Sequence, residues 1–274
     1  MMQSTPSKLP KLGFIGFGAI GKTTFRALRG TLPEAHQPDD FVAGVLLRQG
    51  SKASNDSGLK KGSFLTNAED LIARHPELVV ECAGHEAVNQ YGAKILDAGI
   101  DLLIVSSGAL ADAGLLNELS TTARHTGSKL LIAPGAIGGL DWLSAAAIAG
   151  LEKVVYKSRK PPTAWDGTEA PKMVEKAEVF YRSSVRDAAH RFPKNVNAAV
   201  TVALAGIGLD DTHLELISDP NITENVHEVY AEGTAGTLEL RLRNAAEPGN
   251  PKTSLISGFS LAQCIRHRSL TVVT

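Results

Sequence analysis

The chain has 274 residues and a formal net charge of −1, with 28 Lys and Arg against 29 Asp and Glu, a balance that excludes nucleic-acid binding through a basic footprint. With 43% hydrophobic and 21% charged residues it is too apolar for a disordered chain, and it has no apolar run of about 18 residues that could span a membrane. Cys82 and Cys264 alone make neither a disulfide scaffold nor a structural zinc site, and the polar start up to Pro10 has no apolar signal core, so a cytoplasmic protein is expected.

Lys11–Gly16 is a short apolar run that ends in Gly16-Phe17-Gly18-Ala19-Ile20-Gly21, and Lys22 to Leu28 reads as a helix. A second apolar run follows at Phe41–Arg48, then a Gly/Ser/Lys loop from Gln49 to Ser63. Ala68–Arg74 is helical, Leu78–Ala83 a buried strand, and Glu86–Ala98 a helix stopped by Gly99. Asp101–Ser106 and Lys129–Ala133 are further strands, separated by a helix from about Asp112 to His125. Short continuous apolar runs alternating with helices are the signature of a parallel sheet covered on both faces. The fold class of this half is α/β, a doubly wound parallel sheet of Rossmann type.

The pattern changes near Gly138-Gly139. A helix from Asp141 to Ala149 leads into Glu152–Arg159, which alternates like a half-exposed strand, and a loop runs from Lys160 to Pro171. Glu178–Arg182, Leu214–Ser218, Val226–Ala231 and Thr237–Arg243 read as strands, with a buried helix at Ala198–Ala205. This half is a second α+β domain with a mostly antiparallel sheet. The expected division is 1–139 for a dinucleotide-binding domain, completed by a C-terminal segment (250–274) with an amphipathic helix at Leu255–Arg266. Residues 140–249 then form a substrate, catalytic and dimerisation domain.

Gly16, Gly18 and Gly21 fit G-x-G-x-x-G between a strand and a helix. One glycine makes the tight turn, one lets backbone approach a pyrophosphate, and one allows close packing of helix on strand. The N–H groups of Gly18, Ala19, Ile20 and Gly21 then lie at a helix N-terminus, which favours phosphate. The second strand ends in Leu46-Leu47-Arg48-Gln49, with no acid for a ribose 2′-hydroxyl and with Lys52 close behind. Arg48 suits a 2′-phosphate, so NADP or dual use is favoured over strict NAD; the plainer alternative is a solvated arginine. Ligands of such sheets lie at the carboxyl ends of the strands, where Ala83, Ser106, Ala133 and Ala136 stand on small, glycine-rich loops. Cys82 reads as a small core residue rather than a nucleophile.

Of eight histidines, most lie in polar contexts, and neither His-Glu-x-x-His nor Cys-x-x-Cys occurs, so no metal site is expected. His227 opens a strand in Asn225-Val226-His227-Glu228. Asn195 and Asn197 open the alanine-rich helix, where N-capping accounts for one asparagine more easily than for two.

The chain resembles the L-aspartate dehydrogenase family. The stretches that carry the resemblance are Gly-Phe-Gly-Ala-Ile-Gly-Lys (16–22), Val-Glu-Cys-Ala (80–83), Ala-Gly-Ile-Asp-Leu (98–102), Ser-Ser-Gly-Ala (106–109) and Pro-Gly-Ala-Ile-Gly-Gly-Leu-Asp (134–141). Phe-Pro-Lys-Asn-Val-Asn (192–197), Ala-Gly-Ile-Gly-Leu (205–209), Asn-Val-His-Glu (225–228) and Asn-Pro-Lys-Thr-Ser (250–254) continue it in order along the chain. It implies nicotinamide-dependent oxidative deamination of L-aspartate to iminoaspartate, with links to NAD biosynthesis and with His227 as the catalytic histidine. It also implies cofactor contacts from an alanine, Ala133 or Ala136, and from an asparagine, Asn195 or Asn197. Some relatives carry an acid where this chain has Leu47-Arg48. A substrate with two carboxylates calls for cationic donors, for which Lys194, Lys160 and Lys252 are candidates. A homodimer is expected through the second domain's sheet. Two alternatives stay open: another amino-acid-pathway dehydrogenase, such as a homoserine dehydrogenase, and a non-catalytic NAD(P)-binding sensor.

Overall fold

In the computed structural model, which describes residues 8–32, 38–51, 58–248, 250–271 and 273, the apolar runs of the first half form one parallel sheet. Its strands are β1 (Leu12–Ile15), β2 (Val42–Leu46), β3 (Phe64–Leu65), β4 (Leu78–Glu81), β5 (Asp101–Ile104) and β6 (Leu130–Ile132), in the order β3-β2-β1-β4-β5-β6. Every residue of β1, β2 and β4 is buried, as a parallel sheet with helices on both faces requires. The helices between them are α1 (Ala19–Arg29), α2 (Ala68–Ile72), α3 (His85–Asp97) and α4 (Ala113–Thr126).

Local chemistry sets these helices. α1 buries Gly21, Thr24, Phe25 and Leu28, one stripe at three- and four-residue spacing. The Asn67 side chain caps α2 by accepting from the Asp70 N–H, and Asp112 caps α4 by accepting from the Leu115 N–H. Phe14, Phe17, Phe25 and Phe41 run through the core with successive ring centroids 5.7, 5.7 and 5.8 Å apart. Strand order reverses between β1 and β4, so this sheet has a topological switch point beside the glycine turn.

The described residues up to Ala133, joined by those from Gly258 onward, form one compact unit, and Pro134–Ser257 form a second. The second unit contains α5 (Leu140–Ala149), β7 (Leu151–Lys160), β8 (Glu178–Ser184), α6 (Val185–Arg191), α7 (Asn197–Ala205), β9 (His213–Ser218), β10 (Asn225–Gly233) and β11 (Gly236–Asn244). A short ribbon of β12 (Ala246–Glu247) and β13 (Asn250–Ser254) follows. The main sheet has the order β11-β10-β7-β9-β8; all its pairs are antiparallel except β7 with β9. From Gly258 the last helix, α8 (Ile256–His267), belongs to the first unit, where the Thr24 hydroxyl donates to the Gly258 carbonyl at 3.0 Å.

The sequence pattern did not anticipate α6, β3 or the β12–β13 ribbon. α6 is one short stretch of mixed charge, Val-Arg-Asp-Ala-Ala-His-Arg, and rests on a cap from Ser184, whose oxygen accepts from the Asp187 N–H at 3.1 Å. β3 and β12, two residues each, carry no periodicity to read. The parallel β7–β9 pair is a refinement of the expected antiparallel sheet.

Candidate active site

The glycine turn leaves β1 and enters α1, and its three glycines do three different things. Gly16 has φ +85°, and a Cβ there would lie 2.6 Å from the Ala83 Cβ. Gly21 packs so closely that a Cβ would come within 2.9 Å of the Cys82 sulfur. Gly18 is the N-cap of α1 and nothing lies within 4 Å of where its Cβ would be. No side chain caps α1, so its first-turn N–H groups, including those of Ala19 and Ile20, are left for an external acceptor. Backbone open at Gly18 and an uncapped helix N-terminus fit the phosphates of a dinucleotide.

The loop after β4 adjoins this turn, and the loop after β5 is joined to it through Glu81. Ala83 is exposed beside Gly16, while Ser106 is buried, and both donate backbone N–H groups to the carboxylate of Glu81. Cys82 donates its thiol to the Gly16 carbonyl at 3.2 Å, and burial pushes its pKa up, which makes it packing beneath the turn rather than a nucleophile. Arg48 is exposed on the turn after β2; Lys52 lies outside the described residues. Ala133 is 2% exposed and belongs to the apolar core of the first unit, whereas Ala136, in the second unit, is half-buried and its carbonyl accepts from the Asn244 side chain at 3.0 Å.

The second unit holds a cluster that alternation and register bring to one face of its sheet. On β7 the buried residues are Val154, Tyr156, Ser158 and Lys160. His227 on β10 pairs in register with Ser158, and Ser218 on β9 pairs with Lys160, so these four side chains share a face with Asn225. The His227 ring is 4% exposed; its Nδ1 lies 2.6 Å from the Tyr156 hydroxyl, and its Nε2 has no partner. Burial, helped by the charge of Lys160, holds the His227 pKa down at about 3.

Lys160 is 3% exposed, donates to the Lys252 carbonyl at 3.0 Å, and lies 5.3 Å from the Trp165 ring centre. Burial and the Lys252 charge lower its pKa to about 8. The Ser218 hydroxyl and the Asn225 side-chain oxygen are buried without partners. Lys252 is half-buried and donates to the Asp166 carbonyl at 2.6 Å; Lys194 is exposed on the turn between α6 and α7. The N-cap of α7 is Val196 and no side chain caps that helix, so capping explains neither Asn195 nor Asn197. The Asn195 amide nitrogen is buried without a partner.

Residues 141–268 match the family model for the aspartate dehydrogenase C-terminal domain, and residues 16–133 match that for the NAD-binding domain of homoserine dehydrogenase. An L-aspartate dehydrogenase of Pseudomonas aeruginosa is 46% identical over 259 residues, covering 92% of this chain and 94% of that protein. That of Ralstonia nicotianae is 43% identical over 269 residues, 95% of this chain and 98% of the relative. The chain belongs to the L-aspartate dehydrogenase family. In fold it is similar to the crystal structure of aspartate dehydrogenase from Thermotoga maritima, with a TM-score of 0.75 at 23% identity over 97% of this chain and 99% of that one. As a member of this family it is an oxidoreductase with an NAD-binding domain of Rossmann type.

Tyr156, Ser158, Ser218, Asn225 and Glu81 were not among the site residues read from the sequence. For β7 a signal was present, since Ser158 and Lys160 continue the alternation of Val154 and Tyr156 at positions where a core strand carries apolar residues. Among the described residues no group of three or more His, Cys, Asp or Glu side chains is placed to hold a metal ion, and no helix is long and apolar enough to cross a membrane.

Proposed function

We propose that the chain catalyses oxidative deamination of L-aspartate to iminoaspartate, which water converts to oxaloacetate and ammonia, with amination as the reverse reaction. The observation that carries this reading is the buried polar face of the second sheet. A core face that holds Lys160, His227, Ser218 and Asn225 with orphaned polar atoms is built to be completed by a polar ligand. A dicarboxylic amino acid has the matching chemistry. Lys160 meets a carboxylate, and the Ser218 hydroxyl and His227 imidazole meet the remaining polar groups. Lys252 and Lys194 are the secondary candidates, because both sit nearer solvent.

Bound nicotinamide supplies the acceptor for the hydride that leaves the α-carbon. His227 takes the proton given up at the amine through Nε2, a role in which Nδ1 carries the other ring proton and donates to the Tyr156 oxygen 2.6 Å away. In the free protein His227 is neutral and a weak base. A substrate carboxylate against Lys160 offsets the charge that helps to depress it, so basicity rises when substrate is in place. The same nitrogen then orients water for hydrolysis of the imine.

The first unit binds the dinucleotide through Gly16, Gly18, Ala19, Ile20 and Gly21, with Ala83 and Ser106 lining the far side of the turn. Arg48 and the absence of an acid after β2 favour NADP or dual use. The resemblance assigns further cofactor contacts to one alanine, Ala133 or Ala136, and to one asparagine, Asn195 or Asn197. We expect a cytoplasmic homodimer. Following cofactor reduction by absorbance with L-aspartate, L-homoserine and a panel of other amino acids tests the reading. Reduction selective for L-aspartate is expected; selectivity for homoserine, or binding of cofactor without reduction by any of them, contradicts it.

A further inference from the structure

Glu81 ends β4 and is 0% exposed. Hydrogen-bond donors meet its charge: Oε1 accepts from the Ala83 and Gly84 N–H groups at 2.7 Å each and from the Ser106 hydroxyl at 2.9 Å, and Oε2 accepts from the Ser106 N–H at 3.2 Å. No salt bridge reaches it among the described residues. Burial raises its pKa against the lowering by the donors of Gly84, Ala83 and Ser106, but three of those donors are backbone N–H groups, which cannot accept a carboxyl proton and so favour the anion. A carboxylate this deep is expensive unless its lone pairs are filled, so the two loops that supply the donors are fixed to one another through it.

These are the loops at the carboxyl ends of β4 and β5. The ribose read at the end of β2 belongs to the adenosine half of a dinucleotide, so the half that crosses the switch point onto the β4 side carries the nicotinamide. Ala83 also abuts Gly16, which ties the Glu81 network to the phosphate turn. The oxidised nicotinamide ring is a cation and the reduced ring is neutral, so a buried anion on that side acts on the two forms differently.

We propose that Glu81 is a positioning residue for the nicotinamide half of the cofactor, holding the Ala83–Gly84 and Ser106 loops in place and favouring the oxidised over the reduced ring through its charge. The inference rests on dinucleotide binding by the first unit. Binding without turnover tests it, with calorimetry for the oxidised cofactor, cofactor fluorescence for the reduced one, and AMP as a probe of the adenosine half. Glu81→Gln removes the charge and turns an amide toward N–H donors. Its Kd for oxidised cofactor should rise about tenfold more than its Kd for reduced cofactor, because only the oxidised ring carries the charge that Glu81 attracts. Its Kd for AMP should stay within about twofold of that of the parent protein, since the adenosine half belongs to the β2 side of the switch point.

Equal weakening of all three ligands, the mark of a merely structural residue, overturns the proposal, and so does an unchanged ratio of oxidised to reduced binding. If Glu81→Gln does not fold, Ser106→Ala carries the test. It removes one donor and should weaken both dinucleotides about threefold while sparing AMP. Unaltered dinucleotide binding by Ser106→Ala refutes the proposal. Failure of the parent protein to bind any dinucleotide refutes the cofactor reading itself, a separate result.

Discussion

Replacing Lys160 by methionine separates what its buried charge does to the fold from what it does for the substrate. Burial and the Lys252 charge bring its pKa from 10.5 to about 8, so the fold disfavours the charged form. The penalty is present in full below pH 8 and fades as pH rises from about 8 toward 10.5. At 1.36 kcal/mol per pH unit this is about 3 kcal/mol at pH 7. Methionine keeps the length of the stem but leaves the Lys252 carbonyl without this donor, which returns about 1 kcal/mol. The net gain is about 2 kcal/mol, or about 4 °C in Tm for a chain of this size.

The same substitution should lower kcat/KM for L-aspartate by about 10²-fold or more, because truncating one member of a buried charge pair costs 2–5 kcal/mol. Scanning calorimetry at pH 7 and pH 10 checks the first half of this expectation, and steady-state kinetics checks the second. The stability difference should shrink at the higher pH. In the parent protein kcat/KM for aspartate should fall above about pH 8, as Lys160 in the free protein loses its proton. An unchanged kcat/KM for aspartate in Lys160→Met, or a lower Tm at pH 7, would refute the reasoning.

Four further substitutions probe other parts of the account. Gly16→Ala meets both φ +85° and a contact of 2.6 Å, and should destabilise the fold by about 1–3 kcal/mol in thermal unfolding. Gly18→Ala, with open space at its Cβ, should leave Tm unchanged and weaken the cofactor Kd measured by fluorescence titration. Tyr156→Phe removes the bond to Nδ1 of His227 and should lower kcat about tenfold, for a lost hydrogen bond of about 1–1.5 kcal/mol, with the aspartate KM little altered in the same kinetics. Arg48→Asp should lose NADP selectively, read as the ratio of kcat/KM for NADP and NAD; an unchanged ratio contradicts the 2′-phosphate role.

The parallel sheet was legible, apart from β3, because its other strands are continuous apolar runs closed by glycine or small residues. Burial on both faces leaves no other pattern for Leu-Val-Val or Leu-Leu-Ile. The glycine turn was legible for the same local reason, since strand, turn and helix follow one another directly. The second unit's cluster was only half legible. Alternation puts Tyr156, Ser158 and Lys160 on one face, but that Ser218 faces Lys160 depends on β9 pairing parallel with β7, which no local signal records. His227 was singled out by resemblance rather than by spacing. Its partner, Tyr156, lies 71 residues away in sequence. Glu81 was visible as a charge in an apolar run, yet its meaning lies in donors from two loops that only the fold brings together.

The central claim is that His227 handles a proton for aspartate oxidation while other residues hold the cofactor. The direct measurement is cofactor reduction by L-aspartate in His227→Ala, with the cofactor Kd of the same preparation titrated alongside. The account predicts a Kd within about twofold of the parent protein and a kcat lower by about 10²–10⁴-fold. Near-normal turnover with cofactor bound would contradict it.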